Sequence, residues 1–225
     1  MCMKNKKLLI YGNGEMAQLM YHYFTHDSDY EVVAFTADEE YMTETTLCGL
    51  DMIPFASVEE RYPPGSTEMF VAIGYARMRN RKVMYEKAKS KGYSLANYIS
   101  SQAHLSPGVR IGENNAFLSG VIVEPFCEIG NNNMFNSGVT VCHHTVVKDH
   151  SFLAARVLIG GRCLINDGCF FGFGCVVLQY KTMEQESLVG ANALLLSDTR
   201  AYGRYLGSPA RLVGSHQTSG MIIEN

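Results

Sequence analysis

The sequence lacks the long apolar run and the strong positive charge that would mark a membrane span or a nucleic-acid-binding surface. No apolar stretch approaches the ~18 residues that a membrane-spanning helix needs. The net charge is −3 and the isoelectric point lies near 6.2, so no basic surface for nucleic acid is predicted. The apolar segment 8–10 meets Gly12 too soon to form the core of a signal peptide.

The sequence also lacks the C-x-x-C spacing that is typical of zinc sites and of thiol oxidoreductases, although it contains seven cysteines. Cys127, Cys163, Cys169 and Cys175 occupy a position of the repeat described next, and that position needs a small apolar side chain. We therefore interpret the cysteines as structural thiols and expect no metal. Unpaired thiols favour a cytoplasmic location.

An apolar residue recurs at every sixth position from Leu105 to Leu195 without a miss, in a chain that is 47% apolar. The anchors are Leu105, Ile111, Phe117, Val123, Ile129, Phe135, Val141, Val147, Leu153, Ile159, Ile165, Phe171, Val177, Met183, Val189 and Leu195. A period of six is typical of a parallel β-helix with three flat faces per coil. Ninety residues at 18 residues per coil predict about five coils.

A second position of the hexad, four residues after each anchor, is mostly small, as a narrow triangular interior requires. Residues 18 apart then stack on adjacent coils, about 4.8 Å apart. Asn115 therefore lies over Asn133, which predicts a small internal ladder of amides.

Strands alternate with helices before the repeat, which predicts a small parallel sheet with covered faces. The expected strands are 6–11, 30–35 and 69–73, and the expected helices are 15–24 and about 77–91. The predicted domains are therefore a Rossmann-like βαβ module over 1–100, a β-helix over 101–198, and a C-terminal loop and tail over 199–225, loose from 212 onward.

The turn Gly12-Asn13-Gly14, between the first strand and the first helix, is a candidate nucleotide site. Free backbone N–H groups at a helix N-terminus suit a diphosphate, and Asp38, just past the second strand, could accept hydrogen bonds from a ribose or a base. Two alternatives remain open: a tight turn that only packs the helix on the sheet, and a solvated loop carboxylate.

This order of modules, ending in the G-x-P-A-R run at 207–211, resembles the left-handed β-helix acyltransferases. More narrowly, it resembles the bacterial N-acetyltransferases of nucleotide-linked amino sugars, of the UDP-4-amino-sugar and GDP-perosamine type. The resemblance implies a left-handed coil and a homotrimer with active sites at the subunit interfaces. It also implies acetyl-CoA as co-substrate, a nucleotide-linked amino (dideoxy) sugar as acceptor, and a role in surface glycan synthesis such as that of lipopolysaccharide O-antigen.

The resemblance also assigns residues. His143 takes the position of the catalytic base, in the run from Asn136 to His144, and Asn136 matches an active-site asparagine. The residues that match the nucleotide end are Gly12, Asn13, Gly14, Asp38 and Arg81. The residues that match the acetyl-CoA groove are Gly161, Gly190 and Ala191.

The sequence departs from the family pattern around the base. Cys142 and His144 replace two acidic residues that flank the histidine, and Phe152, which we place with the cofactor-binding residues, replaces a second histidine. Glu124 lies one coil before Cys142, so we expect Glu124 to reach His143 diagonally and to orient it. His144 is the alternative partner, or the base itself.

The residual apolar side chains of the coil faces favour burial around a threefold axis. The expected set is Leu118, Ile122, Phe152, Leu158 and Phe170. Three other functions remain open at this point: a sugar O-acyltransferase, a zinc-dependent hydratase-like trimer, and a non-enzymatic sugar-nucleotide sensor.

Overall fold

The computed structural model describes residues 6–223, which form two compact units. The first unit runs to residue 74 and also contains 83–100, and the second contains 75–82 and the chain from 101 onward. The division at residue 100 lies near the boundary expected from the sequence, and residues 75–82 group with the second unit. Within the described residues, no helix is both long enough and apolar enough to cross a membrane.

The first unit is an α/β sheet. Its strands are β1 (Lys6–Tyr11), β2 (Tyr30–Ala37), β3 (Thr46–Leu47), β4 (Leu50–Pro54) and β5 (Glu68–Val71). A further short strand, β6 (Tyr98–Ile99), lies outside this sheet. The chain's helices are α1 (Glu15–His26), α2 (Val58–Arg61) and α3 (Met78–Ser90), whose last eight residues belong to this unit. The sheet order is β3-β4-β2-β1-β5, with β4, β2, β1 and β5 parallel. The strand β4 was not predicted, because it lies in the polar stretch 39–65.

The second unit is a stack of short parallel strands. They are β7 (His104–Leu105), β8 (Arg110–Ile111), β9 (Ala116–Phe117), β10 (Ile122–Val123), β11 (Glu128–Ile129), β12 (Met134–Phe135), β13 (Thr140–Val141), β14 (Val146–Val147), β15 (Phe152–Leu153), β16 (Leu158–Ile159), β17 (Leu164–Ile165), β18 (Phe170–Phe171), β19 (Val176–Val177), β20 (Thr182–Met183), β21 (Leu188–Val189) and β22 (Leu194–Leu195). The strands β23 (Gly203–Leu206) and β24 (Arg211–Ser215) follow as an antiparallel pair.

Each short strand of the stack pairs with the strand 18 residues later, as β10 does with β13 and β13 with β16. The first face contains β7, β10, β13, β16, β19 and β22, and the second contains β8, β11, β14, β17 and β20. The third face contains β9, β12, β15, β18 and β21 and continues into β23 and β24. This is a three-sided parallel β-helix of about five coils, as the period predicts.

Two corners of the coil matter for the site. We call the turns between the first and second faces the histidine corner (124–126, 142–144, 160–162 and 178–180). We call the turns between the third and first faces the glycine corner (118–120, 136–138, 154–156, 172–174 and 190–192). Residues of one corner stack along the coil axis at intervals of 18, whereas the two corners are separated by the first face.

The interior is filled as the hexad pattern predicts. The anchors from Phe117 to Leu195 are buried, and so are Cys127, Cys163, Cys169 and Cys175 in the small position. Burial raises the pKa of Cys169 and Cys175 to about 12, so these thiols stay protonated at neutral pH. The described cysteines are unpaired, and Cys2 lies outside the described residues.

The amide ladder is also confirmed, and its hydrogen bonds run from side chain to backbone. Asn115 Oδ1 accepts the N–H of Asn133 at 2.9 Å, and Asn133 Oδ1 accepts the N–H of Ser151 at 2.8 Å. The amide nitrogens donate to carbonyls of the same two coils, Asn115 to Gly130 and Asn133 to Lys148, both at 2.8 Å. Each amide thus satisfies buried backbone groups that the strands leave open.

The third face is covered by the chain itself. Tyr75 packs on Phe152 and Phe170, with ring centroids 4.9 and 5.8 Å apart. The C-terminal segment returns to this part of the chain, where Met221 accepts the N–H of Met78. The prediction of a loose tail from residue 212 is therefore wrong, because backbone hydrogen bonds and the burial of Met221 hold it.

The first face, in contrast, stays open in a single chain. Ile122 is 42% exposed and Leu158 is 39% exposed, in one column of outward side chains. The other three residues of the expected apolar set, Leu118, Phe152 and Phe170, are buried within the chain, so that part of the prediction is wrong. The apolar surface that an oligomer could bury is narrower than predicted and lies on the first face.

We expect the change Asn133→Leu to destabilise the β-helix by about 2–6 kcal/mol, because it leaves the Ser151 N–H and the Lys148 carbonyl buried without partners. Chemical denaturation measures the loss. The control is Glu128→Gln at an exposed site of the neighbouring face, for which we expect a change within about 0.5 kcal/mol. Equal stability of the two variants would show that the ladder contributes little.

Candidate functional site

The candidate nucleotide site of the first unit lies at the carboxyl ends of its parallel strands. The chain leaves β1 toward β2 on one side and returns to β5 on the other, so the end of β1 is a topological switch point, where α/β sheets bind ligands. The Gly12–Gly14 turn follows β1, and Asp38 follows β2. Gly14 caps α1 without a side-chain hydrogen bond, which leaves the first N–H groups of the helix free of a side-chain cap.

Gly12 has a packing reason of its own to be glycine. Its φ is +146°, and a Cβ there would lie 2.7 Å from the carbonyl oxygen of Ala72. The turn therefore packs the end of β1 closely against the segment after β5. A Cβ on Gly14, in contrast, would meet nothing within 4 Å.

Asn13 and Asp38 are both engaged within the first unit. Asn13 Nδ2 donates to the Tyr41 carbonyl at 2.6 Å. Asp38 accepts hydrogen bonds from the Tyr11 hydroxyl at 2.9 Å and from Lys87 Nζ at 2.5 Å. These contacts orient the Asp38 carboxylate and leave it only its remaining lone pairs for a ribose or a base.

Arg81 belongs to the second unit, and the structure gives it a structural role there. It is 4% exposed, and its guanidinium donates to the Asn132 carbonyl at 2.8 Å and lies over the Phe152 ring. Burial lowers the pKa of Arg81 to about 10, so the group stays charged at neutral pH. Its contacts fasten residues 75–82 to the coil, and the predicted nucleotide contact gains no support from them.

His143 lies exposed at the histidine corner and packs against Gly161, as the interval of 18 residues predicts. A Cβ on Gly161 would lie 2.7 Å from His143 Cε1 and 2.9 Å from Nε2, so the imidazole fills the space above this glycine. The backbone holds the same register, because Arg162 N–H donates to the His143 carbonyl at 3.0 Å. Within residues 6–223 no acceptor takes the N–H of Gly161, so it can bind an oxyanion.

The partner of the His143 ring is His144. The two Nδ1 atoms lie 3.1 Å apart, and the rings are nearly perpendicular. Glu124 does come within reach, but its Oε2 accepts the backbone N–H of His143 at 2.8 Å. We expected Glu124 to contact the imidazole ring of His143, but it binds the backbone N–H instead. Glu124 therefore fixes the backbone of the corner and does not orient the ring.

The other predicted residues of the second unit lie at the glycine corner. Asn136, Gly190 and Ala191 belong to that corner, and Asn136 donates to the Leu153 carbonyl at 2.8 Å. Phe152, on the third face next to the corner, is 4% exposed within its aromatic cluster and has little surface left for a cofactor. In one chain the first face thus separates Asn136 from His143.

The sequence contained one signal that was missed. The last residue of each turn has a positive φ, and most such positions at the glycine corner are glycine or asparagine. The histidine corner places large side chains there in four successive coils: Phe126, His144, Arg162 and Tyr180. A bulky residue at positive φ costs backbone energy. Four such residues in one column therefore indicate that the histidine corner uses these side chains and is a candidate functional site. Phe126 lies 4.7 Å from the His144 ring.

Within the described part of the chain, no group of three or more His, Cys, Asp or Glu side chains is placed to hold a metal ion.

We expect Gly12→Ala to destabilise the first unit by about 1–3 kcal/mol from backbone strain, with the contact to Ala72 adding to the loss. Denaturation followed by the helical circular-dichroism signal measures it. Gly14→Ala is the matched control, for which we expect less than about 1 kcal/mol. If both variants unfold alike, the close approach to Ala72 does not constrain the turn.

Comparison with known proteins adds a family match and three similar structures to this geometry. Residues 7–88 match the family model of the PglD N-terminal domain. The acetyltransferase domain of PglB from Neisseria gonorrhoeae, solved with acetyl coenzyme A, is 20% identical, with a TM-score of 0.83 over 93% of this chain and 100% of that one. WeeI from Acinetobacter baumannii is 17% identical, with a TM-score of 0.60 over 93% of this chain and 100% of that one.

A histidine-to-asparagine variant of perosamine N-acetyltransferase from Caulobacter crescentus, in complex with CoA and GDP-perosamine, is 25% identical to this chain. The match covers 93% of this chain and 97% of that one, with a TM-score of 0.81. The two-unit chain therefore resembles, over nearly its whole length, the bacterial N-acetyltransferases of nucleotide-linked amino sugars.

Proposed function

We propose that the protein acetylates the amino group of a nucleotide-linked amino sugar, with acetyl-CoA as the donor and His143 as the general base. The protein is an acyltransferase, and acetyl-CoA is its co-substrate. One observation carries the proposal: an exposed imidazole packed on Gly161 at the corner of a β-helix. A protein that shares this fold at 25% identity was solved with CoA and GDP-perosamine.

The corner supplies the groups that acyl transfer to an amine needs. The amine attacks as the free base, after its ammonium form has lost a proton to solvent, and an imidazole is matched to proton transfer near neutral pH. His143 Nε2 would take a further proton from the amine nitrogen as that nitrogen forms its bond to the acetyl carbon. The Gly161 N–H would stabilise the oxyanion, and His143 would return the proton to the departing thiolate.

The glycine corner fits a long, flexible co-substrate. Gly172, Gly174, Gly190 and Ala191 lie along it, and a Cβ on Gly172 would lie 2.4 Å from the Ala191 backbone nitrogen. At these four positions the corner offers mainly backbone to an extended chain, with the exposed Phe173 side chain beside them. Acetyl-CoA supplies the acetyl group there as a thioester.

The separation of the two corners favours a site made by two copies of the chain. His143 and Gly161 lie on one side of the first face, and Asn136 and Gly190 lie on the other. The exposed apolar column of the first face, which includes Leu158, lies between them. A threefold assembly that buries this face would bring the histidine corner of one subunit to the glycine corner of the next. A homotrimer of left-handed coils is therefore part of the proposal.

The first unit would bind the nucleotide of the substrate. The first two N–H groups of α1, which no side chain caps, suit a diphosphate, and Asp38 suits a ribose or a base. The exposed Glu15 in the first turn of α1 disfavours a phosphate directly beside it, so the N–H groups of Asn13 and Gly14 are the more suitable contacts. The N–H of Gly12 already donates to the Thr36 carbonyl at 2.8 Å. A cytoplasmic location and a role in surface glycan synthesis stay predictions.

We expect His143→Asn to lower kcat by about 10²–10⁴-fold, because the base is lost while the corner keeps its shape. The release of CoA thiol, measured with a panel of UDP-, GDP- and dTDP-linked amino sugars, reports turnover. Matched sugars with a hydroxyl in place of the amine separate N- from O-acylation.

The control for this experiment is His26→Asn on α1, which should leave turnover unchanged. A His143→Asn enzyme with nearly wild-type kcat would exclude His143 as the base. If the wild-type protein releases no CoA with any member of the panel, the proposed function itself is wrong.

We expect His143→Asn and Asn136→Ala chains, each poorly active alone, to regain activity when they are co-expressed. Hybrid assemblies then contain seams with one intact histidine corner and one intact glycine corner. CoA release per chain, with sedimentation to measure the assembly, tests this. Hybrids that stay as inactive as the parents would place the whole site within one chain. A single-chain sedimentation coefficient for the wild type would exclude the trimer.

A further inference from the structure

The histidine corner contains a pair of imidazoles in which one proton must be shared. His143 Nδ1 and His144 Nδ1 lie 3.1 Å apart. Two ring nitrogens at this distance form a hydrogen bond only if one carries a proton and the other does not. The pair therefore couples the tautomer of one ring to that of the other. If His143 is the donor, its Nε2 keeps the lone pair that a base needs.

The hydrogen bond between the two imidazole rings does not involve the carboxylate of Glu124. Glu124 Oε2 accepts the backbone N–H of His143 at 2.8 Å, which fixes the main chain of the corner. The positions next to His143 that are acidic in the family pattern are Cys142 and His144. In this structure the side chain that meets the ring of His143 is that of His144.

His144 is held firmly enough to act as an acceptor. Its φ is +59°, its N–H donates to the Pro125 carbonyl at 3.2 Å, and its ring packs 4.7 Å from that of Phe126. Phe126 is itself 69% exposed, so its ring packs against His144 at the surface and is not part of the hydrophobic core. A hydrogen-bonded backbone and a ring packed at a tilt against Phe126 together limit the rotamers of His144.

The charges around the pair favour a neutral His144. Desolvation lowers the pKa of His144, and the positive Arg162 and the His143 ring lower it further. Arg162 belongs to the next coil, Glu124 to the preceding one, and Cys142 to the same turn. At neutral pH His144 can therefore accept a hydrogen bond.

We propose that His144 is a positioning residue: its unprotonated Nδ1 accepts the Nδ1–H of His143 and so presents Nε2 of His143 as the base. This inference rests on the proposed function for its role in turnover, although the tautomer itself does not. The pair differs from a histidine–carboxylate pair in charge, because the neutral acceptor does not stabilise the imidazolium of His143 as a carboxylate would. A single added proton stops the base wherever it resides, since protonated His144 would donate to His143 Nδ1 and leave the proton of His143 on Nε2.

Three variants at position 144 test the proposal through the pH profile of kcat/KM. Asn and Asp both suit a positive φ and both offer an acceptor oxygen, so His144→Asn should keep most of the activity. In His144→Asp the carboxylate stabilises the imidazolium of His143, and the acidic limb should move to higher pH by about 1 unit or more. His144→Ala offers no acceptor and should lose about 10-fold or more in kcat at unchanged KM.

The control is again His26→Asn, whose profile should match that of the wild type. Wild-type kcat and a wild-type acidic limb in both His144→Asp and His144→Ala would overturn the proposal. A loss in His144→Ala that His144→Asn fails to rescue would also overturn it, because the acceptor would then not be what His144 supplies.

Nitrogen NMR of the imidazole rings tests the pair without any substrate. At neutral pH we expect Nδ1 of His143 to be protonated, Nδ1 of His144 to be unprotonated, and the two rings to titrate together. Nδ1 unprotonated in both rings, or two independent titrations, would overturn the pair. If the tautomers are as expected but the wild type transfers no acetyl group, the proposed function fails and the pair stands. If the wild type transfers acetyl groups and the two rings titrate independently, the proposed function stands and the histidine pair fails.

Discussion

Parallel hydrogen bonding between residues 18 positions apart is the constraint on which the second unit depends. Strands of two residues have no stability alone, and they persist because each one is bonded to the coil before it and the coil after it. The same register stacks side chains, so that a buried polar side chain finds its hydrogen-bond partner in a neighbouring coil. Asn133 shows this: its backbone N–H donates to Asn115 in the preceding coil, and its side-chain oxygen accepts the N–H of Ser151 in the next coil.

This constraint leaves chemistry to the corners. The interior is narrow and is filled by apolar anchors and small residues, among them thiols such as Cys169 whose raised pKa keeps them unreactive. The turns face solvent and tolerate variation, provided that their last residue can adopt a positive φ. At the histidine corner the chain accepts that backbone cost in Phe126, His144, Arg162 and Tyr180, where asparagine or glycine would be easier.

The faces of the coil differ in how far the chain itself covers them. Under the proposed function, this difference links assembly to activity. The chain covers the third face with its own segments 75–82 and 216–223. The first face keeps exposed apolar side chains at Ile122 and Leu158, between the two corners that hold the predicted site residues. Burial of that face by a second copy would complete the site and remove the apolar patch in one event.

The sequence by itself determined what is periodic: the coil, the interior, the amide ladder, and the contact of His143 with Gly161, which follows from an interval of 18. Only the tertiary structure decided contacts that have no period or that depend on a rotamer. It pairs Glu124 with a backbone N–H, turns the ring of His144 toward that of His143, and buries Arg81 against Asn132. It also returns the C-terminal segment to residues 76–79, which buries side chains that the pattern predicts to be exposed. A repeat specifies the neighbours of each residue in advance, whereas a segment outside the repeat finds its place only when the whole chain has folded.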